Sequence, residues 1–152
     1  MINFIKCTFI TAMFFASVVT GEDAIYEAWF SSDGPRSLEV AFYSSGYVHQ
    51  NVGYMCGNEY FTSSQLNPVT FAQLDSIEAA FRVSRFIDLP KGIGQRTVWN
   101  AQDVYRIRKR TTAGTKEVWF YNSVSSNKEH VERFFRIWDA IKAVINEAQC
   151  NK

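Results

Sequence analysis

Three arginines at alternate positions, Arg106, Arg108 and Arg110, precede a short turn, and Trp119 follows on the next strand. If Thr111 to Gly114 loop out, Arg110 faces Thr115, Arg108 faces Glu117 and Arg106 faces Trp119. On the other side Tyr105 and Ile107 align with Val118 and Phe120, which is a core pattern. The arginine side therefore carries residue types that anchor protein interfaces, and a guanidinium can stack on an indole. The plainer account is a cross-strand Arg108–Glu117 pair with Arg106 sheltering Trp119. A second candidate surface is the glycine-containing loop that holds Lys91, Arg96 and Trp99.

Other chemistry is poorly supplied. The sequence has no G-x-S-x-G, H-E-x-x-H, C-x-x-C or Walker A pattern. Lys91-Gly92-Ile93-Gly94 puts its lysine before the glycines and lacks a strand-to-helix setting, so it reads as a surface loop rather than a phosphate cradle. His49 falls in a strand and His130 in the first turn of a helix, with no ligand spacing around either. No cofactor or metal is called for, and no serine stands out as a nucleophile.

Positions 1–21 read as a signal peptide. Lys6 supplies a short basic start, and Cys7 to Val19 is almost wholly apolar. That run is short of the ~20 residues of a transmembrane helix. The expected cut follows Gly21, with Val19 at the −3 position, leaving residues 22–152 as one domain, exported to the periplasm or secreted, with no stable membrane anchor. Without Lys6, 15 basic and 15 acidic side chains remain. Such a balance argues against a nucleic-acid partner.

The charges are nonetheless segregated. Glu22 to Glu78 holds eight acids and one base, Arg36, whereas Ala79 to Lys152 holds fourteen bases and seven acids. Either the halves pack together and neutralise each other, which is the preferred reading, or the molecule has an acidic and a basic side that steer a charged partner. After the leader, Cys56 and Cys150 remain, an even pair in an oxidising setting. A bridge between them would close a loop of roughly 95 residues, worth on the order of 4–5 kcal/mol in the chain-entropy model; the alternative is two free thiols, buried or terminal.

The elements that position these residues follow from alternation and capping. Strands are expected at Ile25 to Phe30, Ser37 to Tyr43, Tyr47 to Val52 and Asn58 to Thr62. Thr70 and Gln73 form a capping box, with Val69 and Leu74 placed as a staple. The helix that follows carries Phe71, Leu74, Ile77, Ala80 and Phe81 and fades near Arg85, before Leu89-Pro90. Asp88 to Asp103 is a long loop, with a short strand near Val98. Ser126 and Glu129 read as a second capping box for a last helix with an apolar stripe of Val131, Phe134, Phe135, Trp138, Ile141 and Ile145. The resulting class is α+β: an antiparallel sheet of five or six strands with two helices packed on one face.

Phe30 to Pro35, the Ser45-Gly46-Tyr47-Val48 hairpin, Phe81 to Leu89, the Lys116 to Phe120 strand and the tryptophan-bearing last helix together resemble small exported bacterial proteins assigned only to domains of unknown function. The resemblance implies the same order of elements and an exported setting, and it carries no catalytic residue. The leading expectation is an exported domain that binds another protein, as an inhibitor or immunity protein. The alternatives are a small hydrolase-type enzyme using the 88–103 loop and a structural envelope-associated protein. Oligomeric state is left open.

Overall fold

The computed structural model describes residues 23–32, 34–95, 103–122 and 126–145. Among them, seven strands and two α-helices form an α+β fold. The strands are β1 (Tyr26–Ser31), β2 (Ser37–Tyr43), β3 (Tyr47–Cys56), β4 (Glu59–Pro68), β5 (Gly92–Ile93), β6 (Val104–Thr111) and β7 (Gly114–Tyr121). The helices are α1 (Phe71–Val83) and α2 (Lys128–Lys142). The spatial order is β4-β3-β2-β1-β6-β7-β5.

The sheet is mixed, which corrects the expectation of five or six antiparallel strands. The pairings among β4, β3, β2, β1, β6 and β7 are all antiparallel, and the two-residue β5 runs parallel to β7. Its brevity hid it: a Gly-Ile pair shows no alternation to read. The expected short strand near Val98 lies outside the described residues. β3 and β4 are also longer than expected. They run to Cys56 and from Glu59 around a two-residue turn, where Gly57 has φ +64° and meets no neighbour to obstruct it.

One face of the sheet is the core face. Tyr26, Ala28, Val40, Phe42, Val48, Ile107, Val118 and Phe120 point to it and are buried. Both helices lie against this face: Leu74, Ile77 and Phe81 of α1, and Phe134, Ile137, Trp138 and Ile141 of α2, join the same cluster. Phe71, expected in the α1 stripe, is 78 % exposed. It is the first helical residue, so it lies at the end of the stripe rather than under it.

The Thr70 capping box is present as read: the Thr70 hydroxyl accepts from Gln73 N, and Gln73 accepts from Thr70 N. Val69 and Leu74 of the staple are both buried. The second cap differs by one residue. Asn127, not Ser126, is the N-cap of α2, its side chain accepting from His130 N at 3.1 Å. Asn and Ser cap about equally well, so type alone does not choose between neighbours. At the other end of α1, Arg133 of α2 donates to the carbonyls of Ser84 and Arg85, both at 2.8 Å. This pairs a cation with the negative end of a helix dipole and ties the helices together. Arg85 takes φ 47°, the left-handed conformation that ends the helix.

Candidate functional site

The β6–β7 register is the one anticipated from spacing: Arg106 opposite Trp119, Arg108 opposite Glu117, Arg110 opposite Thr115. The loop is tighter than four residues, because Thr111 and Gly114 still pair. β1 lies against the other edge of β6 and places Trp29 beside Arg106 and Glu27 beside Arg108. The face away from the helices therefore carries a row Trp119–Arg106–Trp29–Glu39 and a parallel row Glu117–Arg108–Glu27.

The two rows are built differently. In the charged row, Arg108 is held between two carboxylates, with Nη1 2.5 Å from Glu27 Oε2 and Nε 3.4 Å from Glu117 Oε2. Arg110 pairs with Asp23 at 2.6 Å. In the aromatic row, Trp29 and Trp119 lean over the intervening strand until their ring centroids are 5.9 Å apart, edge to face. The Arg106 guanidinium sits 5.4 Å from the Trp119 ring and 6.0 Å from the Trp29 ring. Tyr121 extends the platform, parallel to Trp119 with centroids 6.4 Å apart. The Trp119 indole N–H donates to Glu117 Oε1 at 2.6 Å, which fixes the ring orientation and links the rows.

Arg106 is the distinctive member. Among the described residues no carboxylate pairs with it; its Nε, like that of Arg108, is buried without a hydrogen-bond partner, but Arg108 has two carboxylates beside it. Its charge is met by two indole faces, an attraction of about 0.5–2 kcal/mol per contact according to exposure. Trp29, Arg106, Trp119 and Tyr121 are all half-buried, whereas Ala41 and Tyr43 farther along the same face are buried.

The ion pairs also answer the question of segregated charge. Arg108–Glu27, Lys109–Glu78 and Arg110–Asp23 each join an acid of the first half to a base of the second. β1 beside β6 sets Glu27 and the preceding Asp23 against Arg108 and Arg110, and α1, packed on the core face, brings Glu78 to Lys109. The second polar cluster lies near the helices. Glu78 accepts from Lys109 Nζ at 2.6 and 2.8 Å and from the Tyr26 hydroxyl at 2.5 Å. Burial, then the hydrogen bond and negative charge of Glu78, push the Tyr26 phenol well above its ordinary value. Burial works against ionised Glu78, but the bonds from Lys109 and Tyr26 outweigh it, so the carboxyl lies below its ordinary value.

Of the second candidate surface, Lys91 reaches β7 through its backbone: its carbonyl accepts from Trp119 N at 2.8 Å. Arg96 and Trp99 lie outside the described residues. So does Cys150, while Cys56 ends β3. His49 Nε2 is 3.0 Å from Ser64 Oγ, a cross-strand pair on the same face as Arg106. No carboxylate holds the other ring nitrogen among the described residues, so the arrangement lacks the orienting group of a catalytic triad.

Sequence reasoning missed Trp29 and Glu27. The signal was present, since β1 alternates Glu27-Ala28-Trp29-Phe30, but nothing in the sequence said that β1 would lie beside β6 rather than at an edge. No protein-family model matches the chain, and no curated protein matches it.

Proposed function

We propose that this chain is an exported protein-binding domain, acting as an inhibitor or immunity protein, and that its contact surface is the platform of Trp29, Arg106, Trp119 and Tyr121. One observation carries the reading. Arg106 is the arginine of this face with no carboxylate partner among the described residues, and it is framed by two tryptophans. A cation already stripped of much of its water and ringed by aromatic surface suits an acidic side chain on a partner. The partner carboxylate gains a charge-assisted hydrogen bond, while the indoles exclude water around it. Arg108 and Arg110 are each ion-paired within the chain, so they shape the local potential more than they bind.

Export supports the reading, because the leader pattern of residues 1–21 sends the domain where inhibitors and immunity proteins meet their targets. In that setting Cys56 and Cys150 form a bridge, which intact mass before and after reduction reads directly.

The test is capture followed by affinity. Tagged protein is incubated with envelope and secreted extracts at physiological salt, and the stoichiometric partner is then titrated against variants. Arg106→Gln is expected to cost about 2 kcal/mol or more, roughly 30-fold in affinity. Joint replacement of Arg106, Arg108 and Trp119 by alanine abolishes binding while circular dichroism shows the fold retained. Wild-type affinity in the folded triple variant removes this surface from consideration.

A further inference from the structure

Among the described residues strand β4 forms one edge of the sheet, and it is ten residues long. Natural edge strands are blunted by charges, bulges, prolines or brevity. β4 has little of this. It pairs with β3 without a bulge over its whole length, carries one charge, Glu59, and has its single proline at the last position, Pro68. Its side chains are exposed at nearly every position, with Tyr60 at 53 % and Leu66 at 45 %.

The direction of its backbone groups follows from the ladder. Val69 N donates to Gly46 O at 2.8 Å, and Tyr47 pairs with Pro68. Hydrogen-bonded pairs alternate along an antiparallel ladder, so the odd-numbered residues of β4 bond to β3. Tyr60, Thr62, Ser64 and Leu66 then turn their N–H and C=O groups outward. These four also place their side chains on the same face as Arg106, because they pair with Met55, Gly53, Asn51 and His49 of β3.

We infer that β4 pairs antiparallel with β4 of a second copy of this chain, about a two-fold axis normal to the sheet at Ser63. Such an axis keeps like faces together, so each residue must meet one of the same parity. Centring on Ser63 sets Thr62 opposite Ser64 of the second copy and Tyr60 opposite Leu66 of the second copy. Every outward-facing backbone group from Tyr60 to Leu66 is then used, about eight hydrogen bonds in all. Of the exposed large apolar side chains that β4 itself puts on this face, Leu66 falls opposite Tyr60 of the second copy at both ends of the seam, while the Tyr60 ring lies over Gly53 of β3. The one charged residue, Glu59, falls opposite Asn67 of the second copy, so no like charges meet. The two-fold also leaves both Arg106 platforms on one side of a continuous sheet. The pairing does not depend on what those platforms bind.

The experiment is sedimentation equilibrium of the purified protein from about 1 µM to about 1 mM. A reversible dimer is expected. Thr62→Pro removes an outward N–H and no β3–β4 bond, at an edge position where proline is tolerated. It is expected to weaken the dimer at least about tenfold, the worth of roughly 1.4 kcal/mol, with an unchanged thermal midpoint. Ser63→Cys supplies a second readout. Ser63 meets itself in a non-bonded pair, where Cα atoms lie about 4.5 Å apart, a distance a disulfide can span. Ser63→Cys is therefore expected to form a covalent dimer on oxidation much faster than Phe61→Cys, which meets Gln65. A monomer at all concentrations, a dimer insensitive to Thr62→Pro, or equal cross-linking of the two cysteine variants would each overturn the proposal.

Discussion

The two longest hairpins, β3–β4 and β6–β7, share a sheet but differ in their neighbours. The β6–β7 hairpin is clasped on both sides, by β1 and by β5, and one of its faces is core. The other hairpin has β2 on one side and, among the described residues, a free edge on the other, and most of β4 is exposed on both faces. Being enclosed imposes alternation on a strand, and alternation fixes which side chain lies where. A strand free on one side and wet on both faces carries no such constraint, and its backbone is left to make the contacts. The platform around Arg106 is accordingly a surface of placed side chains, and the β4 edge a surface of placed N–H and C=O groups.

The sharpest test of this difference is a pair of truncations. Ile107 is fully buried at the centre of β6, so Ile107→Ala is expected to cost about 2–5 kcal/mol. Thr62→Ala, central in β4, is expected to stay within about 0.5 kcal/mol. Urea denaturation of the two variants at micromolar concentration measures both. Similar losses would mean that β4 is as firmly embedded as β6, and the contrast would collapse.

The same contrast explains what was legible in the sequence. The β6–β7 register could be read to the residue, because Tyr105, Ile107, Val118 and Phe120 alternate with Arg106, Arg108, Glu117 and Trp119. The staple and capping box around Thr70 were legible too, since they are local and chemical. β4 was seen only over Asn58 to Thr62: Ser63, Ser64, Gln65 and Asn67 have neither alternation nor strand propensity, and it is pairing with β3 that holds them extended. Strand order was the larger gap. The β1–β6 contact joins residues some eighty positions apart, and it decides that Trp29 completes the aromatic site and that Glu27 neutralises Arg108. No local pattern encodes that adjacency. The segregated charges hinted at it, since the acids of the first half needed the bases of the second.

A smaller effect separates the β1–β6 seam from the rest of the molecule by pH. Glu78 has a lowered folded value, so its contribution is complete above its unfolded value near 4.5 and is lost as pH falls through the lower folded one. Tyr26 has a raised folded value. Above pH 10 the unfolded chain ionises this tyrosine while the folded protein keeps it protonated, so stability falls as pH rises further. Glu78→Gln is expected to cost about 1 kcal/mol at neutral pH, modest because the Glu78 side chain is 45 % exposed and its ion pair is screened. The variant should also show a shallower loss of stability on the acid side. Denaturation midpoints taken between about pH 2 and pH 7 read this, and an unchanged acid limb would assign it to other carboxylates.

The smallest effect belongs to β3. An added Cβ at Gly53 would fall 2.2 Å from the Tyr60 hydroxyl and 2.5 Å from Ser37 Oγ, so both side chains must move in Gly53→Ala. Both are side-chain termini rather than backbone, Tyr60 is half exposed, and alanine relieves the entropic cost of glycine in a strand, about 0.5–1 kcal/mol. The two terms nearly cancel, and a net change within about 0.5 kcal/mol is expected. Tyrosine fluorescence offers a separate readout, because the Tyr60 ring has to swing off β3 toward the free edge. A loss of more than about 2 kcal/mol would mean that Tyr60 is clamped over Gly53. The β3–β4 hairpin would then be held by side chains, as β6–β7 is, and not chiefly by its backbone.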